Sequence, residues 1–332
     1  MAFVGAAATD FGGLKKPVAH DAVSKSLNAR MVEVASLGDE GVAAGDQDET
    51  KKLGIWASGF VGRARQGAIH DSPGYKSKLH GASVGMDKKF TERLIAGLAF
   101  THGTVNIAHA NGHDDDKTSA NVLMLSAYGI YDFENNWYIR SVASIGRSSI
   151  TNAEARPNDI DPATNKIKSS QAKSNYLSKN AGADVSGGYR YMLGKNTSIT
   201  PSLGLSYRGF VDSGYSEQGA GSGNNKVSKK IYNQLASTIG ASLTTKYAYE
   251  NATITPELHA FACFALDGKN PKVVSERSGV IQTTQNRRTK RSYTVGGSAA
   301  LKSGAIELSL GCDAQIAQRL FPTNCVNSFW VI

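Results

Sequence analysis

Ser198-Ile199-Thr200-Pro201-Ser202-Leu203-Gly204-Leu205-Ser206-Tyr207-Arg208-Gly209-Phe210 is the stretch whose pattern decides the fold. Ile199, Leu203, Leu205 and Tyr207 share one parity; Thr200, Ser202, Gly204, Ser206 and Arg208 share the other. Successive side chains of an extended chain point to opposite faces, so this is a strand with one apolar and one polar face. It is longer than the about five or six residues usual in soluble sheets. A tilted strand needs about 9–11 residues to cross a bilayer, and this one has them.

Three more stretches repeat the pattern. Over 180–193, Ala181, Ala183, Val185, Tyr189 and Tyr191 oppose Asn180, Gly182, Asp184, Ser186 and Arg190. Over Ile231–Tyr247, Leu235, Ile239 and Leu243 oppose Gln234, Thr238, Ser242 and Lys246. Over Ala305–Ala317, Ile306, Leu308, Leu310, Cys312 and Ile316 oppose Glu307, Ser309, Asp313 and Gln315. Weaker alternation runs through Ile55–Arg65, Tyr75–Asp87, Arg93–Val105, Lys117–Phe133, Asn136–Ile150, Asn251–Leu266 and Arg288–Lys302, giving eleven strands in all.

The connections alternate in length. Short turns fall near Lys88–Glu92, Glu134–Asn135, Gly194–Asn196, Glu250 and Ser303–Gly304. Long loops fall near Gln66–Gly74, Asn106–Asp116, Thr151–Ser174, Asp212–Lys229 and Asp267–Arg287. Alternation puts every short turn on one rim and every long loop on the other, as in an outer-membrane barrel. A β-sandwich has no need of strands this long. Tyr131, Phe133, Trp137, Tyr189, Tyr191, Tyr247 and Tyr249 all lie within a few residues of short turns, where an interfacial girdle belongs.

Composition agrees. The 332 residues hold 35 glycines and 8 prolines, with 40% apolar and 20% charged residues, a strand-and-turn chain and not a disordered one. No apolar run reaches the about 18 residues of a transmembrane helix, which does not exclude a membrane, since a barrel strand shows only alternate residues to lipid. Net charge is +9 and the densest basic run is Arg287, Arg288, Lys290 and Arg291. With no nucleic-acid-binding motif beside it, that run is expected to be a solvated loop or a contact for anionic lipid head groups. Cys263, Cys312 and Cys325 form no ligand motif and are expected to be isolated packing residues. His109 and His113, followed by Asp114, Asp115 and Asp116, carry metal-ligand chemistry, but no helix aligns them and a solvated loop is expected. No catalytic, cofactor-binding or metal residue is assigned, and no cofactor is expected.

Ahead of the strands lies a different region. Asp21 is placed to cap a helix through Val23, Leu27, Arg30, Met31 and Val34, ending near Gly38. An acidic link, Asp46 to Glu49, follows.

Ile55-Trp56-Ala57-Ser58-Gly59-Phe60 with Gly62-Arg63-Ala64-Arg65-Gln66 resembles the first strand of the autotransporter β-domain. Tyr75, Gly81, Gly85-Met86-Asp87 and Arg93-Leu94-Ile95-Ala96-Gly97-Leu98-Ala99 continue the resemblance. The wording is similar to the rickettsial surface cell antigen group that contains outer membrane protein B, over roughly 56–315. The resemblance implies an all-β fold: a transmembrane, antiparallel, up-and-down β-barrel of about twelve strands with an N-terminal lumenal α-helix. It divides the chain into 1–54, a passenger linker with the pore-threading helix Asp21–Leu37, and 55–332, the translocator barrel. It implies a non-enzymatic, monomeric barrel of a type V secretion system that delivers a passenger to the surface of a Gram-negative cell. The implied partners are outer-membrane lipid, the barrel-assembly machinery and the exported passenger, and not nucleic acid. Asn28 in the helix carries no cleavage signature.

The tail departs from the family. The twelfth strand should alternate and end on an aromatic; here Phe329 to Ile332 is continuously apolar and Pro322 cannot donate to a ladder. A shifted reading frame near Arg319 would produce this. The first and eleventh strands are therefore expected to keep open edges. Met1–Gly13 lacks the features of a signal peptide, so outer-membrane location requires one upstream. Together these features point to a fragment of a larger, disrupted gene. Three other readings share parts of the pattern: a porin-like channel with an open lumen, an adhesin using its long loops, and an outer-membrane aspartyl-type protease. The protease needs Asp and His converging from several strand ends, and only the His113–Asp116 cluster offers them.

Overall fold

The structure, a computed structural model, describes residues 27, 31, 53–67, 74–110, 115–160, 167–267, 272–285, 290–317 and 320–331, with side chains except at 157–160, 167–169, 284–285 and 320–331. Twelve long strands carry the fold: β1 Leu53–Gln66, β2 Tyr75–Lys89, β3 Leu94–His109, β4 Lys117–Asp132, β5 Trp137–Ile160, β6 Ile167–Tyr189, β7 Thr197–Asp212, β8 Lys230–Thr245, β9 Ala252–Ala265, β10 Arg291–Ser303, β11 Ile306–Ala317 and β12 Leu320–Val331. Each pairs antiparallel with its sequence neighbours, and β12 returns to β1. The sheet is therefore closed. Closure gives each backbone donor and acceptor in lipid a partner, which an open sheet cannot do.

Alternation follows the expected parity. On β1 the odd positions Leu53, Ile55, Ala57, Gly59 and Val61 are exposed on the outside, and the even positions from Gly54 to Ala64 are buried inside. Ile199, Leu203, Leu205 and Tyr207 all take the outward parity of β7, and Ile306, Leu308, Leu310 and Ile316 that of β11. A water-soluble protein would not leave an apolar belt of this extent uncovered. Lipid covers it.

Short turns join β2–β3, β4–β5, β6–β7, β8–β9 and β10–β11 on one rim. Two need left-handed backbone: Asn136, with φ 68°, and Gly304, with φ 57°, residue types that tolerate it. The aromatic girdle stands at this rim. Tyr131 and Phe133 meet edge-on at 4.9 Å, and Trp137 lies 5.2 Å from Tyr189.

Three expectations are corrected. First, no edge is left open between β1 and β11. β12 pairs with β1 from Ile55↔Val331 to Gln66↔Leu320, and Pro322 is accommodated by a gap in the β11 ladder between Ala314↔Thr323 and Ala317↔Leu320. Closing a barrel asks for backbone partners, not for an alternating sequence. Second, Thr151–Ser174 is no loop: the β5–β6 ladder runs on to Ile160↔Ile167. Beyond the lipid an extended strand has no reason to alternate apolar with polar. Third, the cysteines are not all isolated. Cys312 is disulfide-bonded, and Cys325 stands opposite it in the backbone register.

Candidate functional site

The barrel's bore has two unlike walls. On β1–β5 the inward positions are tightly packed. Trp56, Phe60, Leu79, Ala99, Val122, Met124, Tyr128 and Val142 form one apolar cluster with Leu27 and Met31. Leu27 and Met31 are both helical and stand four residues apart, on one face of a helix. The helix expected over Asp21–Leu37 thus has these two residues seated in the bore; the rest of it, Asn28 included, lies outside the described residues.

Aromatic rings make this wall smooth by lying across glycines. Trp56 faces Gly85 in register, and a Cβ on Gly85 would stand 2.5 Å from the indole. Tyr128 faces Gly97, where a Cβ would stand 2.7 Å from the phenol ring. Trp56 Nε1 donates to the Tyr128 hydroxyl at 2.5 Å, and that hydroxyl donates to Asp87 Oδ2 at 2.9 Å. Both ring edges thereby satisfy their polar atoms while burying their faces.

The opposite wall, β7–β11, is hydrophilic and only half buried. Its inward positions include Ser202, Ser206, Thr238, Ser242, Thr255, Ser298 and Ser309. Its charges include two close pairs, Arg208 with Asp184 on β6 at 3.0 Å and Lys230 with Asp212 at 3.5 Å. His259 is held between two carboxylates, Nδ1 at 3.1 Å from Glu257 Oε1 and Nε2 at 3.0 Å from Asp313 Oδ1. Gly296 lies between them in register, and a Cβ there would stand 2.5 Å from His259 Nε2; glycine lets the ring reach across β10.

Beyond the other rim, the long connections fold on each other. Tyr215–Ser216, Lys226–Val227, Lys272–Arg277 and Val280–Gln285 form a second, four-stranded sheet. The hairpin between the last two turns on Ser278 and Gly279, both at positive φ, as a two-residue type I′ turn requires. This outer cap is fastened to the inward face of the β5 extension. Arg156 pairs with Glu217 at 3.0 Å and with Glu154. Glu217 Oε2 accepts the Asn225 amide at 2.8 Å, and Arg277 Nε donates to Asn225 Oδ1 at 2.8 Å. Tyr176 and Tyr215 stack at 4.5 Å.

From Arg147 upward the outward positions of β5 are Arg147, Ser149, Thr151, Ala153 and Ala155, with no large apolar side chain among them, so Glu154 and Arg156 lie clear of the lipid. Three carboxylates, Glu154, Glu217 and Asp116, here meet two guanidiniums, Arg156 and Arg277. Burial pushes Glu154 up to about 7, with Glu217 and Asp116 adding to the shift and Arg156 opposing it. Burial alone would pull Arg156 down, but Glu154 and Glu217 outweigh it and hold the guanidinium above its ordinary value.

The folded cap therefore keeps a proton on Glu154 between pH 4.5 and about 7, where the opened cap has lost it. Its contribution to cap stability is full below the lower value and falls as pH rises through the window. Amides of 272–285 are expected to be better protected from hydrogen exchange at pH 5 than at pH 8, after correction for intrinsic rates. Glu154→Gln should flatten the difference; equal protection in the parent would contradict the assignment.

His109 is buried, 3.3 Å from Thr118 Oγ1. Asp116 is buried and accepts the Ala155 amide at 2.6 Å. Asp115 is exposed, and His113 and Asp114 lie outside the described residues. Among the described residues no group of three metal-ligating side chains converges. Of the basic run, Lys290 and Arg291 are exposed and the other two lie outside the described residues. The Glu154–Arg156 cluster was not anticipated from sequence. Its signal was present in Glu154-Ala155-Arg156, a continuation of the β5 parity into the supposed loop.

A closed antiparallel barrel with short turns on one rim and long connections on the other is a membrane-spanning barrel, here with helical residues inside the bore. The autotransporter β-domain family matches residues 55–314, and the chain belongs to it. It is 30% identical over 300 residues to outer membrane protein A of Rickettsia rickettsii, covering 89% of this chain and 13% of the relative. It is 31% identical over 288 residues to outer membrane protein B of Rickettsia japonica, covering 84% and 17%. The chain thus spans less than a fifth of the length of these relatives. The translocator domain of NalP from Neisseria meningitidis superposes with a TM-score of 0.70 at 14% identity, covering 98% of this chain and 100% of that one. The β-domain of the Bordetella autotransporter BrkA gives 0.57 at 14% identity, covering 84% and 98%; at such identities the likeness is one of fold. The barrel is a Gram-negative outer-membrane barrel.

Proposed function

We propose that this barrel is the conduit by which an N-terminal passenger reaches the cell surface, and that residues 1–54 serve as linker and pore-threading helix while 55–332 form the translocator. The observation that carries this reading is the seat of Leu27 and Met31 on the apolar wall of the bore. A helix leaning on one wall leaves the hydrophilic wall for an extended segment to pass. Backbone amides of such a segment can exchange hydrogen bonds with water and hydroxyls at little cost. On this reading transport needs no bond-breaking chemistry, the barrel acts as a monomer, and the host's barrel-assembly machinery inserts it.

Conductance tests the reading. In planar bilayers the full chain is expected to conduct weakly, and Leu27→Asp with Met31→Asp to conduct severalfold more, because two carboxylates cannot rest on Trp56, Phe60 and Met124. Retained heat-modifiability on gels would show that the barrel itself is intact. Unchanged conductance in the folded double variant would sink the idea that the helix occupies the bore, and would favour a porin-like channel.

A further inference from the structure

The outer face carries an unexplained electrostatic arrangement. Every acidic side chain described within the twelve strands, from Asp87 on β2 to Asp313 on β11, sits on an inward position. Cations do not follow that rule. Just above the apolar belt, β1 turns Arg63 and Arg65 outward and β2 turns Lys76 and Lys78 outward, all exposed. In register these are Arg63↔Lys78 and Arg65↔Lys76. A second site repeats the motif: exposed Arg147 on β5 stands opposite exposed Lys179 on β6.

Like charges directly opposite one another on a sheet destabilise it. Among the described residues none of the six makes an ion pair. Three such pairs, all outward and all next to the belt, call for an anion from outside the chain. The belt fixes where that anion comes from. Below Arg63 the outward positions of β1 are Val61, Gly59, Ala57, Ile55 and Leu53, and below Arg147 those of β5 begin with Ile145. The cations therefore stand at the level where hydrocarbon gives way to head groups, on the long-connection rim.

Between the two cationic sites β3 and β4 carry an outward hydrogen-bonding strip, with exposed Lys117 above it in the row of Arg65 and Lys76. Thr104 Oγ1 donates to Asn121 Oδ1 at 3.1 Å, and Ser119 Oγ donates to Asn106 Oδ1 at 3.0 Å, all on outward positions. Guanidinium and ammonium groups match phosphate oxygens, and an amide-and-hydroxyl strip matches sugar hydroxyls. We propose that this face of the barrel binds a phosphorylated glycolipid of the outer leaflet, with its phosphates on Arg63, Arg65, Lys76 and Lys78 and on Arg147 and Lys179, and its sugar over the β3–β4 strip.

The test uses the full chain refolded in non-ionic detergent and titrated with bis-phosphorylated lipid A. The readout is the temperature at which the heat-modifiable band is lost. Lipid A should raise that temperature saturably; its dephosphorylated form and phosphatidylcholine should not. A cation near such a surface contributes about 1 kcal/mol. The variant with Arg63→Ser, Arg65→Ser, Lys76→Ser and Lys78→Ser should then bind on the order of several hundredfold more weakly, and Arg147→Ser with Lys179→Ser on the order of thirtyfold. The charge-keeping variant Lys76→Arg with Lys78→Arg should bind like the parent, and it keeps the question open to test if the fourfold variant fails to fold. Equal affinity in the serine variants, or an equal response to the dephosphorylated lipid, overturns the proposal.

Discussion

Gly85→Val is expected to cut the folded fraction of refolded barrel by about an order of magnitude, read as loss of the heat-modifiable band. The added Cβ would stand 2.5 Å from the Trp56 indole and 2.7 Å from the Leu98 carbonyl oxygen. The indole could swing away; the carbonyl belongs to the β2–β3 ladder, where Gly85 pairs with Ala99, and cannot. Overpacking of this kind costs about 1–3 kcal/mol. If the indole moves, its hydrogen bond to Tyr128 is lost as well, and with it the wall on which Leu27 and Met31 rest. A double-mutant cycle with Trp56→Ala separates the two contacts. Partial rescue is expected, limited by the carbonyl. Full tolerance of Gly85→Val alone would mean that the ring does not lie where the structure puts it.

Arg156→Ala should act on the other end of the molecule and spare the barrel. It leaves Glu154 and Glu217 buried without the guanidinium that joins them. Removing one partner of a buried ion pair costs about 3–5 kcal/mol. Because the contact joins the cap to the β5 extension, the loss should appear as local opening. Amides of 215–227 and 272–285 are expected to exchange on the order of a hundredfold faster or more, while the strand amides facing lipid stay protected. The deficit should be larger at pH 8 than at pH 5, where Glu154 is protonated and needs its partner less. Converting Arg156 to Met together with Glu154→Gln and Glu217→Gln should recover much of the protection, since all three charges of the broken network are then removed together. Faster exchange throughout the barrel would instead mean that the cap and the transmembrane strands unfold as one unit.

The parts of this molecule that lipid shapes were legible in its sequence. Where Leu203 and Leu205 must face hydrocarbon and Ser202 and Ser206 water, the chain has to alternate, and the strand could be read directly. Of the helix read over Asp21–Leu37, the two described residues, Leu27 and Met31, are helical. Legibility ended where lipid ended. Asn152, Glu154 and Arg156 continue β5 in register with β6, yet both sides of that hairpin meet water or other loops, so the two-residue rhythm there sets charged against small residues and lacks the apolar face that marks a strand in lipid. The sheet of the cap was invisible for a different reason. Lys226–Val227 pairs with Lys272–Arg277 across an intervening strand pair, and its contacts depend on chain segments meeting far from one another in sequence. The closing strand shows the converse. Phe329 to Ile332 breaks the family's rhythm, but backbone pairing from Leu320 to Val331 needs only chain length and a place for Pro322.

The hydrophilic half of the bore has a dynamic consequence. Its surface is made mainly of serine, threonine and glycine, side chains too short to grip, and several of its charged groups are already committed to one another, as Arg208 is to Asp184 and His259 to Asp313. A polypeptide moving along such a surface meets many shallow, nearly equivalent resting points and few deep ones. Friction is then low and nearly uniform along the path. The pace of transit would depend on how the segment folds or is pulled outside, and hardly at all on which residue happens to be inside.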